Sequence, residues 1–118
     1  IKHVCQVDKK VTYANANTYC ESKSMKLFSI STVDELDAIL VYAIERFQTP
    51  DKYYWTKGQQ IDGTWFLNTN ELLIDKAIPT DSSGNCLSIA NLNGAFITKG
   101  NQCDALSEGF FCEFIRDI

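Results

Sequence analysis

The first half of the chain carries two helix-like patterns of apolar residues behind a short alternating segment. The opening stretch "IKHVCQV" alternates and predicts an edge strand. Its shared face would hold Ile1, His3, Cys5 and Val7. In "TYANANTYCESK", Thr12 is a suitable N-cap, and the small and apolar residues that follow permit a helix of about three turns. The run "LFSI" predicts a short strand or a connector.

The stretch "STVDELDAILVYAIERF" has the strongest periodicity in the chain. Thr32 and Glu35 fit a capping box, in which each side chain bonds the backbone N–H of the other residue. Apolar residues then recur at helical spacing and predict one core-facing stripe. The stripe consists of Leu36, Ile39, Leu40, Ala43, Ile44 and Phe47. Pro50 marks the exit from this helix.

The second half of the chain changes to short β-like runs bounded by Gly, Asn or Asp. These runs are "KYYWTKG", "GTWFLN", "CLSIAN", "GAFITKG" and "GFFCEFI". Two helices followed by short strands predict an α+β fold with antiparallel sheets. Residues 67–86 show weak periodicity, and a loop of that length in a compact domain is usually functional or covalently pinned.

Length and charge exclude several classes of protein. The 118 residues suit one domain, 1–118, with 45% apolar and 22% charged residues. A net charge of −4 argues against nucleic acid or an anionic membrane as partner, because both require a basic face. The longest apolar run, "AILVYAI", is too short to insert across a bilayer. A chain that begins at isoleucine is expected to be a mature secreted form or an excised domain.

The five cysteines are the most informative count in the composition. They stand at 5, 20, 86, 103 and 112, without the C-x-x-C spacing of zinc ribbons or thioredoxin-like motifs. Four thiolates around zinc would be an unusual site at such separations. Two disulfides and one odd cysteine are the favoured interpretation, and they indicate an oxidising compartment. Spacing alone leaves about fifteen two-bridge arrangements open.

The order of these motifs resembles the C-type lectin-like domain over nearly the whole chain. The segment "VTYANANTYCESKSMKLFSI" is similar to the first helix of that family and the connector after it, and "STVDELDAI" to the start of its second helix. "YYWTKG", the hairpin "DGTWFL", "GNCLSI" and the closing "GFFCEF" resemble its strands in the same order. The Tyr-Trp-Thr-x-Gly variant resembles small secreted arthropod members in particular. The resemblance implies a secreted, disulfide-bonded α+β fold with two helices and a long loop region.

The resemblance also implies a cysteine pairing. The family pattern selects Cys20–Cys112, which ties the first helix to the last strand, and Cys86–Cys103, which clips the long loop region. Cys5 is then left over. It is either a buried free thiol that packs as a small hydrophobe or the site of a disulfide to another chain. The second alternative would give a disulfide-linked dimer or an assembly subunit.

Sugar-binding members of the family use one calcium ion, and this sequence lacks their ligands. Those members carry a Glu-Pro-Asn or Gln-Pro-Asp triplet around a proline that is typically cis, because calcium needs six to eight oxygen ligands. In this chain the flanks of Pro79 are Ile78 and Thr80. The glutamate position before Cys86 is Gly84, and the Asn-Asp pair before Cys103 is replaced by Lys99 and Gly100. No cofactor is therefore expected.

Other oxygen donors near the loop are a weaker alternative. A displaced calcium ion would have Asp75, Asp81 and Asn85 as its ligands. The run from Asp81 to Gly84 has ordinary turn composition, so solvated turn residues are the favoured interpretation. One histidine, carboxylate pairs without apolar surroundings and no phosphate-binding glycine loop also argue against an enzyme.

Three hypotheses of function remain. The first is a secreted domain that binds a protein or another ligand without calcium, through residues 68–85 and 96–102. Its contact residues would be Ile78, Pro79, Thr80, Asp81, Phe96 and Lys99, with Leu72, Leu73 and Ile74 nearby. Packing of the apolar members onto the sheet is the competing interpretation. The second is a calcium-dependent, glycan-binding lectin of innate immunity with an altered site, and the third is subunit assembly through Cys5.

Overall fold

The computed structural model describes residues 2–46, 52–80, 82–92 and 95–115. Within these ranges the chain forms two α-helices, eight strands and one short 3-10 helix. In chain order they are β1 (Lys2–Val7), α1 (Tyr13–Ser22), β2 (Lys26–Leu27), α2 (Val33–Arg46), β3 (Tyr53–Ile61), β4 (Thr64–Asn68), β5 (Glu71–Leu72), the 3-10 helix (Asp75–Ala77), β6 (Cys86–Leu92), β7 (Ala95–Asn101) and β8 (Gly109–Ile115). The predicted helices and the main strands are thus present.

Strand β8 lies at the centre of the sheet, between β1 and β3. β1 pairs with β8 and with no other described strand, as the predicted edge strand should. β6 and β7 form a long antiparallel ladder that joins the sheet through β3. Asp62 and Gly63, both with positive φ, make the tight turn between β3 and β4.

The sheet is antiparallel, as predicted, except at one ladder, where β3 and β8 run parallel. The chain leaves β7, which pairs with β6 and with no other described strand, and it returns through residues 102–108. Backbone bonds from Ser107 N to Val11 O and from Glu108 N to Tyr53 O bring it back to the start of β3. It therefore re-enters the sheet in the same direction as β3.

Helix α2 begins with the predicted capping pair. Thr32 Oγ1 accepts from Glu35 N at 3.1 Å, while the Glu35 carboxylate accepts from Ser31 N at 3.0 Å. Its buried stripe is narrower than predicted, since Ile44 is 57% exposed. At 100° per residue Ile44 lies about 80° from Leu36, at the margin of the apolar face. Phe47 and Pro50 lie outside the described residues.

The two faces of the sheet bury separate clusters, and successive residues of β8 point into opposite ones. Phe111 packs with α2, the 3-10 helix and β6 in the larger cluster. Phe110 and Cys112 pack with α1 and Trp55 in the other. Thr12 caps α1 as predicted, accepting from Asn15 N. No helix in the described ranges is long and apolar enough to span a bilayer.

A charged network fastens β1 to α2 and β8. Lys2 Nζ lies 2.7 Å from Glu35 Oε2 and 3.5 Å from Glu113 Oε1. Glu113 is 4% exposed and also accepts from the backbone N–H and the hydroxyl of Ser29. A carboxylate buried to this degree is tolerated because it has an ammonium and two hydrogen-bond donors as partners.

This network predicts part of the stability at low pH. Burial raises the pKa of Glu35, but the hydrogen bonds and charge of Lys2 and the capping N–H groups outweigh it and hold the pKa below the ordinary 4.5. A lowered folded pKa stabilises the protein above the unfolded pKa, and this stabilisation is lost as the pH falls through the folded value. We expect Glu35→Gln to show a shallower loss of unfolding free energy between neutral pH and about pH 3 than the wild type.

Denaturant unfolding at each pH measures this difference. Glu45→Gln, at an exposed position in the same helix, is the matched control and should retain the wild-type slope. Equal acid slopes for Glu35→Gln and the wild type would contradict the assignment.

Candidate functional site

Both implied disulfides are present and frame the candidate site. Cys20 and Cys112 are joined with a Cα–Cα distance of 5.5 Å, and Cys86 and Cys103 with 5.2 Å. The first bridge links α1 to the centre of the sheet inside the smaller core cluster. The second holds the segment after β7 against the start of β6. Residues 68–85 and 96–102, called the long-loop region below, are therefore anchored near one end by a covalent clip.

The apolar residues of the long-loop region divide between core and surface. Leu73 is 3% exposed, and Ile74 and Phe96 pack against the larger core cluster. These three residues therefore pack onto the core and are not free contact residues of a binding surface. Leu72 and Ile78 are 61% and 39% exposed, so they present apolar surface to solvent.

The segment around Pro79 differs from a calcium-binding turn. Pro79 is buried and Thr80 is exposed. No peptide bond between described residues is cis, so the bond before Pro79 is trans. Because the flanking side chains are apolar and hydroxylic, this turn supplies no carboxylate or amide side chain to an ion.

Gly84 and Gly100, where the family resemblance would place calcium ligands, lie directly against each other's segments. A Cβ added at Gly84 would overlap the backbone of Asn101 and Gln102. A Cβ added at Gly100 would overlap Ser82 Oγ and Gly84 O. The space that a glutamate and an aspartate side chain would need is therefore filled by backbone and by the Ser82 hydroxyl.

Hydrogen bonds hold this closed arrangement together. Ser83 N donates to Gly100 O at 2.9 Å, and Gln102 Nε2 donates to Ser83 O at 2.7 Å. Asn101 Nδ2 donates to Ser88 Oγ at 2.7 Å, and Ser88 Oγ donates to Lys99 O at 3.0 Å. The polar atoms close to Gly84 and Gly100 are thus hydrogen-bonded to one another.

The two described candidate calcium ligands lie on different parts of the long-loop region. Asp75 starts the 3-10 helix and is exposed, and Asn85 is an exposed residue before β6. Asp81 lies outside the described residues. Among the described residues no group of three or more His, Cys, Asp or Glu side chains is placed to hold a metal ion. The side chains at positions 78, 80, 84 and 100 do not fit the calcium ligands that the family resemblance would place there.

The predicted contact residues are brought together only in part. Helix α2 contacts both the 3-10 helix before Ile78 and strand β7, which carries Phe96. Lys99 lies farther along β7, in register with Ser88, and is half-buried. Sequence reasoning missed that Gly84 and Gly100 meet across the loop. The available signal was two glycines, each a few residues before a bridged cysteine.

Cys5 is a free, partly buried thiol on β1. The register places it opposite Cys112, on the face of the sheet that α1 covers. Val7, two residues on and on the same face, packs against the smaller core cluster. This position suits a small apolar side chain. Mass analysis distinguishes a free thiol here from a disulfide to another chain.

We expect intact-mass analysis without reductant to give a monomer with one alkylatable thiol, because Cys5 is partly buried and lies opposite Cys112 on the face of the sheet to which α1 is bonded. Alkylation under native and denaturing conditions would locate the thiol at Cys5. The Cys5→Ser variant, which should give a monomer with no alkylatable thiol, is the control. A dimer mass that collapses on reduction in the wild type alone would support assembly through Cys5 instead.

Comparisons with known proteins place this architecture among C-type lectins. No family model and no curated protein sequence matches the chain. Among solved structures, the C-type lectin TC14 of the tunicate Polyandrocarpa misakiensis superposes with a TM-score of 0.75 at 21% identity, covering 99% of this chain and 100% of that one. The Ca2+-independent C-type lectin SPL-2 of Saxidomus purpuratus gives 0.80 at 17% identity, over 96% and 86%.

The carbohydrate-recognition domain of the mouse scavenger receptor C-type lectin gives a TM-score of 0.78 at 19% identity, over 99% of this chain and 91% of that one. At these identities the similarity concerns the fold. These matches do not test the resemblance to arthropod members, which stays a prediction.

Proposed function

Since the chain has the C-type lectin-like fold that its sequence predicted, we propose that it is a secreted recognition domain that binds a protein or another ligand without calcium. Two disulfides in a chain of this size support an oxidising, extracellular setting.

The contact between residues 82–84 and the end of β7 carries the calcium-independent part of the proposal. Calcium binding requires several oxygen ligands held around one point. Gly84 and Gly100 offer no side-chain oxygen, and the space beside each is taken by backbone or by the Ser82 hydroxyl. An ion could enter only if Ser83, Gly100 and Gln102 gave up their mutual hydrogen bonds.

The exposed part of the long-loop region is the proposed recognition surface. Leu72 and Ile78 supply apolar area, and Thr80 adds a hydroxyl beside the buried Pro79. Apolar side chains on a rigid, disulfide-clipped loop lose little entropy on binding, which suits contact with a protein surface. The neighbouring SPL-2 structure, described as calcium-independent, supports recognition on this fold without the ion.

We expect calcium to leave thermal unfolding unchanged. A ligand that binds only the folded state raises the unfolding midpoint according to RT ln(1 + [L]/Kd), so millimolar calcium would stabilise a functional calcium lectin measurably. The experiment is a thermal melt at increasing calcium, with magnesium and a chelator as controls. A saturable rise specific to calcium would refute the proposal.

The alternative, a glycan-binding lectin of innate immunity, is separated by a glycan array with and without chelator. Chelator-sensitive glycan binding would establish this alternative. Glycan binding that survives chelation would keep calcium independence and identify the ligand as a sugar. Absence of glycan binding, together with an unchanged melt, leaves the protein-ligand form of the proposal.

A further inference from the structure

A cavity of about 270 Å³ lies between β1, α2 and β8, and no residue of the long-loop region lines it. Its floor is buried: Phe28, Ile39 and Phe111 are each 5% exposed or less. Val4, 42% exposed, and the exposed Ala38 form its rim. The cavity therefore opens to solvent between the edge strand and the helix.

Three of the residues that line the cavity are aromatic. Tyr42 and Phe111 meet edge to face, with ring centroids 6.1 Å apart and planes at 79°. Phe28 adds a third ring. Aromatic rings prefer offset or edge-to-face neighbours, so a planar ring entering this space would find favourable partners on more than one side.

The polar groups around the cavity are already bonded within the protein. The three donors of the Lys2 ammonium face Ser29 O at 2.9 Å, Glu35 Oε2 at 2.7 Å and Glu113 Oε1 at 3.5 Å. At the other end, Tyr42 OH donates to Gln6 Oε1, and Gln6 Nε2 donates to Asp8 Oδ1, both at 2.7 Å. A charged ligand group held inside the cavity would have to break one of these bonds or stay without a protein partner, and either is costly.

We propose that this cavity is a binding site for a small, neutral aromatic molecule of one or two rings. The size follows from volume, since an apolar cavity of about 150 Å³ holds benzene and one of about 270 Å³ holds a bicyclic ring. Neutrality follows from the bonded polar groups, and aromatic character from the three rings. The site is independent of the proposed long-loop surface.

The test uses indole as a neutral probe, with tryptamine and indole-3-acetate as cationic and anionic analogues. In amide NMR spectra of the labelled protein, indole should produce saturable shifts centred on Lys2–Gln6, Ala38–Tyr42 and Phe111. Both charged analogues should bind at least about ten-fold more weakly, because each would leave its charge unpaired. No saturable shift, shifts elsewhere, or equal binding of the charged analogues would overturn the proposal.

Matched variants locate the site. Ala38→Phe adds a ring at the rim and should weaken indole binding at least about ten-fold by filling the cavity. Val41→Phe adds a ring to the same helix at an exposed position outside the lining and should bind indole as the wild type does. If Ala38→Phe does not fold, Val4→Phe fills the cavity from the opposite wall. Unchanged indole binding in a folded rim variant would refute the assignment.

Discussion

Removing the bridge between Cys20 and Cys112 is expected to destabilise the protein more than any other substitution. The cysteines are 92 residues apart, so the bridge closes most of the chain into one loop. On the chain-entropy model the double variant Cys20→Ala/Cys112→Ala loses about 4.6 kcal/mol of unfolding free energy. Both half-cystines are fully buried, so cavities add to this loss. Denaturant unfolding measures it.

The second bridge provides the matched comparison. Cys86 and Cys103 are 17 residues apart, and the same model gives about 3.1 kcal/mol for their removal. We expect Cys86→Ala/Cys103→Ala to be the more stable of the two double variants, with amide exchange accelerated mainly in the long-loop region. The reverse order of stability would contradict the view that loop length dominates.

The second large effect is expected for Gly84→Glu, which introduces the glutamate that the family resemblance would place at this position. The added Cβ would overlap the backbone of Asn101 and Gln102. We therefore expect a loss of at least about 3 kcal/mol of unfolding free energy and no gain of calcium binding. Unfolding curves with and without millimolar calcium test both parts.

Gly63→Ala is the control for this variant, because it adds a Cβ that changes the backbone preference without overlapping a neighbouring atom. Gly63 has φ +82° with open space around its Cβ position, so its substitution should cost only about 1 kcal/mol. The closed contact would be disproved if Gly84→Glu had wild-type stability and acquired a calcium-dependent rise in its unfolding midpoint.

The parts of the fold that were predictable from the sequence are those that depend on residues close together in the chain. The caps at Thr12 and Thr32 and the stripe of α2 depend on residues within one or two helical turns. The exposure of Ile44 was not predictable in this way, because Ile44 lies at the margin of the stripe and its burial depends on what packs against the helix there. Similarly, the strand segments were readable in the sequence, whereas the parallel pairing of β3 with β8 depends on the path of residues 102–108.

The candidate site was predictable as a set of missing ligands. Ile78, Thr80, Gly84 and Gly100 carry no carboxylate, and this is a property of the sequence alone. The contact that takes the place of the missing side chains was not predictable. It depends on residues 82–84 reaching Gly100 and Gln102 across the loop. The burial of Phe96 and the exposure of Leu72 likewise depend on how the loop packs in three dimensions.

The sequence by itself determined the two helices, the strand segments and the lack of a carboxylate or amide side chain at positions 78, 80, 84 and 100, since each depends on residue type or short-range spacing. Its similarity to a known family supplied the cysteine pairing, which spacing left open. Only the tertiary structure decided the parallel ladder, the closure around Gly84 and the aromatic cavity between β1 and α2. Each of these arises where segments distant in the chain pack together, and short-range patterns do not encode such distances.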